Sequence, residues 1–355
     1  MSVRAVFATT VALVCLTSCG GPSNPDRPPR TYMMGFTADP PRMDLASALK
    51  TIDTWSPRAD AALVQLTPPW KSMLADTSAA FIINREQREL VQFYRSKKLG
   101  VVAMIDATDG LNRAQEHPDL LAAGRSIREP AIQHLYLEYV AAVDSILHPD
   151  YLALAMETNL NRALLPREIY DSLRTMVNKG ASYLATSGSP TKPYVSVQVE
   201  TAWGRLPNTG TFVGIDQDRA DFPFIKAIGL SSYPFLGGFV QPEDVPLDYY
   251  KRLQPTGALP MLVVEGGWSS ASVTGVTSTP DKQARYIKRQ MQIADAARLI
   301  GVFQITFTDI DLSSYPVPDG SILPLFAHLG LVDENFQPKP ALAEWDAAFA
   351  RPLAH

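Results

Sequence analysis

Two glutamates in this 355-residue chain each close an apolar run: Glu157 in YLALAMETNL and Glu265 in LPMLVVEGGWSS. A carboxylate that directly follows an apolar strand sits at the edge of a low-dielectric core, where burial and neighbours tune its proton affinity. Two such groups facing each other across a cleft can divide the cleavage of a glycosidic bond. One protonates the leaving oxygen and the other attacks or stabilises the sugar cation. A single glutamate so placed equally well caps a helix or pairs with an arginine, so it is the pair that carries the reading. Other hydrolytic chemistries lack their residues. His117, His134, His148, His328 and His355 are scattered with no HExxH spacing, and neither a GxSxG elbow nor a GxxxxGK[ST] loop occurs. Asp309-Ile-Asp311 has a metal-binding look but no His or Cys nearby, so it reads as a loop turn; no metal and no cofactor is implied.

The elements that must position these groups alternate regularly. Strand-length apolar runs fall at Tyr32–Phe36, Ala62–Leu66, Val101–Ile105, Tyr151–Met156, Tyr194–Val199, Ala227–Ser231, Met261–Val264 and Leu299–Ile305. Helical segments are expected at Leu45–Ile52, Glu86–Lys97, Glu129–Leu147, Arg167–Thr186, Asp218–Ile225, Leu247–Leu253, Asp281–Arg298 and Pro340–Phe349. In Glu129–Leu147 the residues Ile132, Leu135, Tyr136, Tyr139, Val140, Val143 and Leu147 recur every three or four positions, one stripe to lay on a sheet. Runs without polar alternation mark strands covered on both faces. Eight strand–helix units therefore predict an α/β fold, a (β/α)8 TIM barrel over 31–355. The doubly wound open sheet is second, and its GxGxxG fingerprint is absent.

In such a barrel the site forms at the C-terminal ends of the strands. Besides Glu157 and Glu265, the residues there include Asp39, Trp70, Asn159, Glu200, Trp203, Tyr233, Trp268 and Asp309. Trp70, Trp203 and Trp268 are candidate platforms for sugar rings, whereas Trp55 and Trp345 fall on helical stripes and belong to the core. Glu200, ending VSVQVE, competes for the role of acid but reads better as a substrate-binding or salt-bridging group. Long connections after the second, sixth and eighth strands are expected to form the rim.

At these positions the chain resembles the clan of retaining glycoside hydrolases that place an acid/base Glu after strand four and a nucleophile Glu after strand seven. The nearest likeness is to the endo-β-1,4-galactanases, through Ile228-Gly-Leu-Ser-Ser-Tyr-Pro-Phe235 and Val263-Val-Glu-Gly-Gly-Trp268. The resemblance implies cleavage of a poly- or oligosaccharide by double displacement, with Glu157 as the acid/base, Glu265 as the nucleophile and Tyr233 orienting it. It also implies carboxyl groups about 5–5.5 Å apart. Family members carry Asn immediately before the acid/base; here that residue is Met156, and Asn159 is the available substitute. The departure keeps a second reading open, a non-catalytic carbohydrate-binding lipoprotein on a degenerate barrel. A third, a barrel enzyme using its aspartates for another hydrolysis or lyase reaction, carries less.

The N-terminus places the domain in a compartment. Arg4 precedes the apolar run Ala5–Leu16, too short to span a bilayer, and Leu16-Thr17-Ser18-Cys19-Gly20 resembles a bacterial lipobox. Residues 1–18 are thus expected to be a signal peptide, Cys19 the lipidated residue, and 19–30, rich in Pro and Gly, a tether. The expected location is the cell envelope, lipid-anchored and extracytoplasmic, at the outer membrane or the periplasmic face. Cys15 would leave with the signal, so no thiol remains for a disulfide or a nucleophile. A net charge of −4 with no basic run argues against nucleic acid as a partner. The expected partners are a carbohydrate and, through Cys19, a membrane. With 46% apolar and 19% charged residues the chain can stand on its core alone.

Overall fold

Apolar runs that offer no polar face must be covered on both sides, and closing them into a cylinder ringed by helices does so without leaving an edge. The computed structural model describes residues 28–207, 209–253, 259–317 and 319–354; the expected signal peptide and Cys19 lie outside them. Eight parallel strands form a closed barrel in chain order. They are β1 (Met33–Phe36), β2 (Ala61–Leu66), β3 (Gly100–Ile105), β4 (Tyr151–Ala153), β5 (Lys192–Gln198), β6 (Ala227–Ser232), β7 (Met261–Gly266) and β8 (Gly301–Gln304). Each expected strand is present, and with its helices the chain is a (β/α)8 barrel.

Alternation along the strands sorts side chains into two cores. Leu63, Val102, Met104, Tyr194, Leu262 and Phe303 pack inside the cylinder. Their neighbours, such as Leu66, Val101, Val195 and Val263, face the helices. In that outer layer Phe36 packs between Trp55 and Trp345, with ring centroids 5.9 and 4.5 Å away. Both tryptophans are fully buried, in keeping with the helical stripes that carry them.

The helices start where local chemistry starts them. Asp44 accepts the Ser47 N–H at 2.8 Å ahead of the helix Leu45–Trp55, and proline opens both Pro130–Leu147 and Pro280–Ala297. Three expectations need correction. The helix expected over Glu86–Lys97 runs over Arg88–Ser96, and a helix the sequence did not suggest, Ala79–Glu86, precedes it across Gln87, which leaves the helical region at φ −120°. Leu247–Leu253 carries only a 3-10 turn at Lys251–Leu253. Arg30, assigned to the tether, belongs to the domain: it is buried, and its guanidinium meets both Asp60 oxygens at 2.6 and 3.0 Å. Arg30 also bridges to Leu353, so the first and last described segments meet beside the start of β1.

One irregularity matters for the site. β6 and β7 pair in register to Leu230↔Val263, and the next pair is Ser231↔Glu265, so Val264 is an extra residue. Leu262 and Val264 point into the barrel; strict alternation would turn the following residue outward. The bulge keeps Glu265 on the inner face instead.

Candidate active site

Above the inner core, at the C-terminal ends of the strands, lies a cavity of about 470 Å³. Glu157 and Glu265 both line it, together with Tyr233, Arg113 and Asp39. Glu265 accepts hydrogen bonds from Ser231 Oγ at 2.8 Å and Tyr233 Oη at 3.1 Å. Burial pushes its pKa up to about 7, and the charge of Glu157 adds to the rise, while Arg113 and the two hydroxyl donors oppose it. The Tyr233 hydroxyl is held well above its ordinary value by burial and then by Glu265 and Glu157, so it acts as a donor.

Glu157 is set differently. β4 ends at Ala153, three residues sooner than the apolar run suggests, and the chain bends before Glu157 adopts left-handed angles, φ 47° and ψ 48°. For a residue with a Cβ that conformation costs on the order of 1–2 kcal/mol, and such strain persists only where surrounding bonds enforce it. Here the Glu157 N–H donates to Ser196 Oγ at 2.9 Å, and the Glu157 carbonyl accepts the N–H groups of Leu160 and Asn161. Glu157 thereby starts the helix Thr158–Leu164. Its side chain receives Arg113 Nε at 2.9 Å, and the same guanidinium meets Asp106 at 2.7 and 2.8 Å.

Arg113 was not singled out in the sequence. Burial works to lower its pKa, but Asp106, Glu157 and Glu265 outweigh that and hold it above the ordinary arginine value. The available signal was Asp106 at the end of a strand, an acidic group that needs a nearby cation. The rim likewise differs from expectation: the connection after β3 supplies Leu111, Asn112 and Arg113, whereas β2 contributes only Gln65.

The remaining site candidates divide. Asp39 lines the cavity; burial raises its pKa and a hydrogen bond from Thr37 Oγ1 opposes the rise. Asn159 is spent on the fold, its amide pairing with both the N–H and the C=O of Gln198 at 2.8 Å, so it cannot stand in for the Asn missing at Met156. Glu200 is fully buried behind the cavity wall, where Tyr233 N–H, Tyr249 Oη, Ser232 Oγ and Gln198 Nε2 all donate to it. Asp309 is buried against Lys339 at 2.6 Å and accepts the Gly330 N–H, away from the cavity.

None of the three proposed tryptophan platforms faces the cavity. Trp70 is fully buried at the start of the helix Trp70–Leu74. Trp268 is 1% exposed, packed on Phe235 and Tyr286, and donates to Ser278. Trp203 is stacked on Tyr249 at 4.9 Å and covered by Arg252, which occupies the ring faces a sugar would need.

Neither a family model nor a curated protein matches the chain. Solved structures do. A family 39 glycoside hydrolase from the gut symbiont Bacteroides cellulosilyticus superposes with a TM-score of 0.61 at 15% identity, covering 89% of this chain and 63% of that one. An exo-β-1,4-mannosidase from an Opitutaceae bacterium gives 0.64 at 14% identity, over 91% of this chain and 60% of the other. A fungal β-1,4-galactanase gives 0.57 at 15% identity, over 89% and 99%. The chain thus spans less than two thirds of the first two enzymes and nearly all of the third. At such identities the likeness establishes the architecture: this chain has the (β/α)8 barrel on which all three glycosidases are built.

Proposed function

We propose that the protein is a retaining glycoside hydrolase in which Glu265 is the nucleophile and Glu157 the acid/base. The observation that carries this reading is that two acidic side chains, one after β4 and one on β7, open onto a single cavity, with the Tyr233 hydroxyl donating to Glu265. Glycosidase activity in the three structural neighbours supports it. The non-catalytic alternative expects the two carboxylates to be separated or plugged, so their shared cavity favours hydrolysis.

Glu265 attacks the anomeric carbon while Glu157 gives its proton to the leaving oxygen; water, deprotonated by Glu157, then releases the sugar with its configuration retained. Two facing carboxylates share one proton more readily than they carry two charges. Burial favours the proton on Glu265, while Arg113 pairs with Glu157. Turnover needs the reverse distribution.

On a panel of aryl glycosides, Glu157→Gln and Glu265→Gln should each abolish turnover. With azide added, Glu265→Ala should give a glycosyl azide of inverted configuration and Glu157→Ala one of retained configuration. Full activity in both Gln variants would sink the assignment. We further propose, from the lipobox-like residues 16–20, that Cys19 carries lipid and holds the domain in the cell envelope. Cys19→Ala should then move the protein from the detergent phase to the aqueous phase in phase partitioning.

A further inference from the structure

Leucine and isoleucine supply nine of the residues that line the cavity of the two glutamates, beside polar ones such as Gln65, Gln198 and Thr306. Leu160 and Leu164 follow Glu157 at i+3 and i+7 on the same short helix, which places them on the face that carries the acid. Leu111 from the β3 connection adds to this wall, and Ile322, Leu323 and Phe326 line the cavity from the connection after β8. Leu111, Leu164 and Ile322 are 43, 42 and 41% exposed, so they stand open to solvent in the mouth rather than packed into the core.

A sugar ring presents hydroxyls, each of which loses its hydrogen bonds to water on entry and must find a partner. Leucine and isoleucine offer none, and all five tryptophans of the chain are turned elsewhere or covered. Apolar side chains left open in a concave site gain free energy only when an apolar ligand covers them. In the double displacement the leaving group lies on the side of the acid, which is the side of Leu160 and Leu164.

We propose that the substrate is a glycoside whose leaving group is apolar, an alkyl or aryl aglycone seated on Leu111, Leu160 and Leu164, rather than a stretch of polysaccharide. The inference rests on the hydrolase reading and on Glu157 as its acid. Both a free amphiphilic glycoside and a membrane glycolipid supply this chemistry.

The test uses methyl, butyl and octyl glycosides of each common hexose and pentose, kept below their micelle-forming concentrations, with the purified protein. For whichever sugar is cleaved, kcat/KM should climb with chain length, by at most about 4-fold per fully buried methylene and by at least ~10-fold from methyl to octyl. Leu111→Asn/Leu164→Asn should flatten the climb. A flat series, or oligosaccharides cleaved faster than the octyl glycoside of the same sugar, would overturn the proposal. If no glycoside is cleaved, it is the hydrolase reading that fails, and the aglycone site is then judged by calorimetry of the same glycosides on Glu265→Gln. Affinity rising with chain length supports the site, and no dependence overturns it. Among positive results, cleavage of the free octyl glycoside marks a soluble substrate; cleavage confined to a glycolipid in phosphatidylcholine vesicles marks a membrane one.

Discussion

Glu200 is fully buried and Glu265 partly so, burial raises the pKa of each to about 7, and each lies within reach of Tyr233. Their surroundings differ. Glu200 is enclosed by four donors and does not line the cavity of Glu157 and Glu265, so its carboxylate is a structural acceptor that anchors the Tyr233 backbone from behind. Glu265 has two hydroxyl donors, and its carboxyl group looks into open space shared with a second acid. A displaced pKa therefore does not by itself mark a reacting group; access to a ligand does.

The contrast can be put to the test at four levels. The largest effect should come from Glu265→Gln, which is expected to lower kcat on the order of 10³-fold or more while leaving the melting temperature unchanged or raised. An equal loss in Glu200→Gln, with no loss of stability, would erase the distinction. Tyr233→Phe should lower kcat by roughly 10- to 100-fold. It also removes a bond that holds the pKa of Glu265 down, so the acid limb of kcat/KM should move to higher pH.

The third level is stability against pH. A carboxyl group raised from 4.5 when unfolded to about 7 when folded favours the folded state fully below pH 4.5, and that contribution is lost as pH rises through 7. Glu200 should contribute about 3 kcal/mol to that decline and Glu265 should act in the same direction, read from denaturation midpoints between pH 4.5 and 8. Glu200→Gln should remove part of the slope, and should cost about 1–3 kcal/mol at pH 5 by leaving a donor of its cluster unpaired. The smallest effect is expected from Trp203→Phe. It removes the bond to the Tyr249 carbonyl, worth about 1 kcal/mol in a melt, and should change kcat/KM less than about twofold because the ring does not face the cavity.

The barrel was legible because its signal is repeated: eight apolar runs, each bounded by helical stripes, survive errors of a few residues at any one end. The fourth run shows such an error. Leu154, Ala155 and Met156 are as apolar as the strand before them, yet they bend away to deliver Glu157 in a left-handed turn. The two glutamates and Tyr233 were legible from their places after strands. The tryptophans were not, because a residue just past a strand can turn toward the cavity or toward the helices, and residue type alone does not decide between them. Arg113 and the leucine wall were hidden for a related reason, since they come from connections whose path depends on contacts made across the whole mouth.

The unpaired residue in β7 means that the reach of Glu265 depends on counting rather than on kind. Were β7 to pair evenly with β6, with Val264 opposite Ser231, the composition of the strand would be untouched, yet the carboxylate would swing round to the helical jacket. A tidier barrel would then have lost its facing pair of acids.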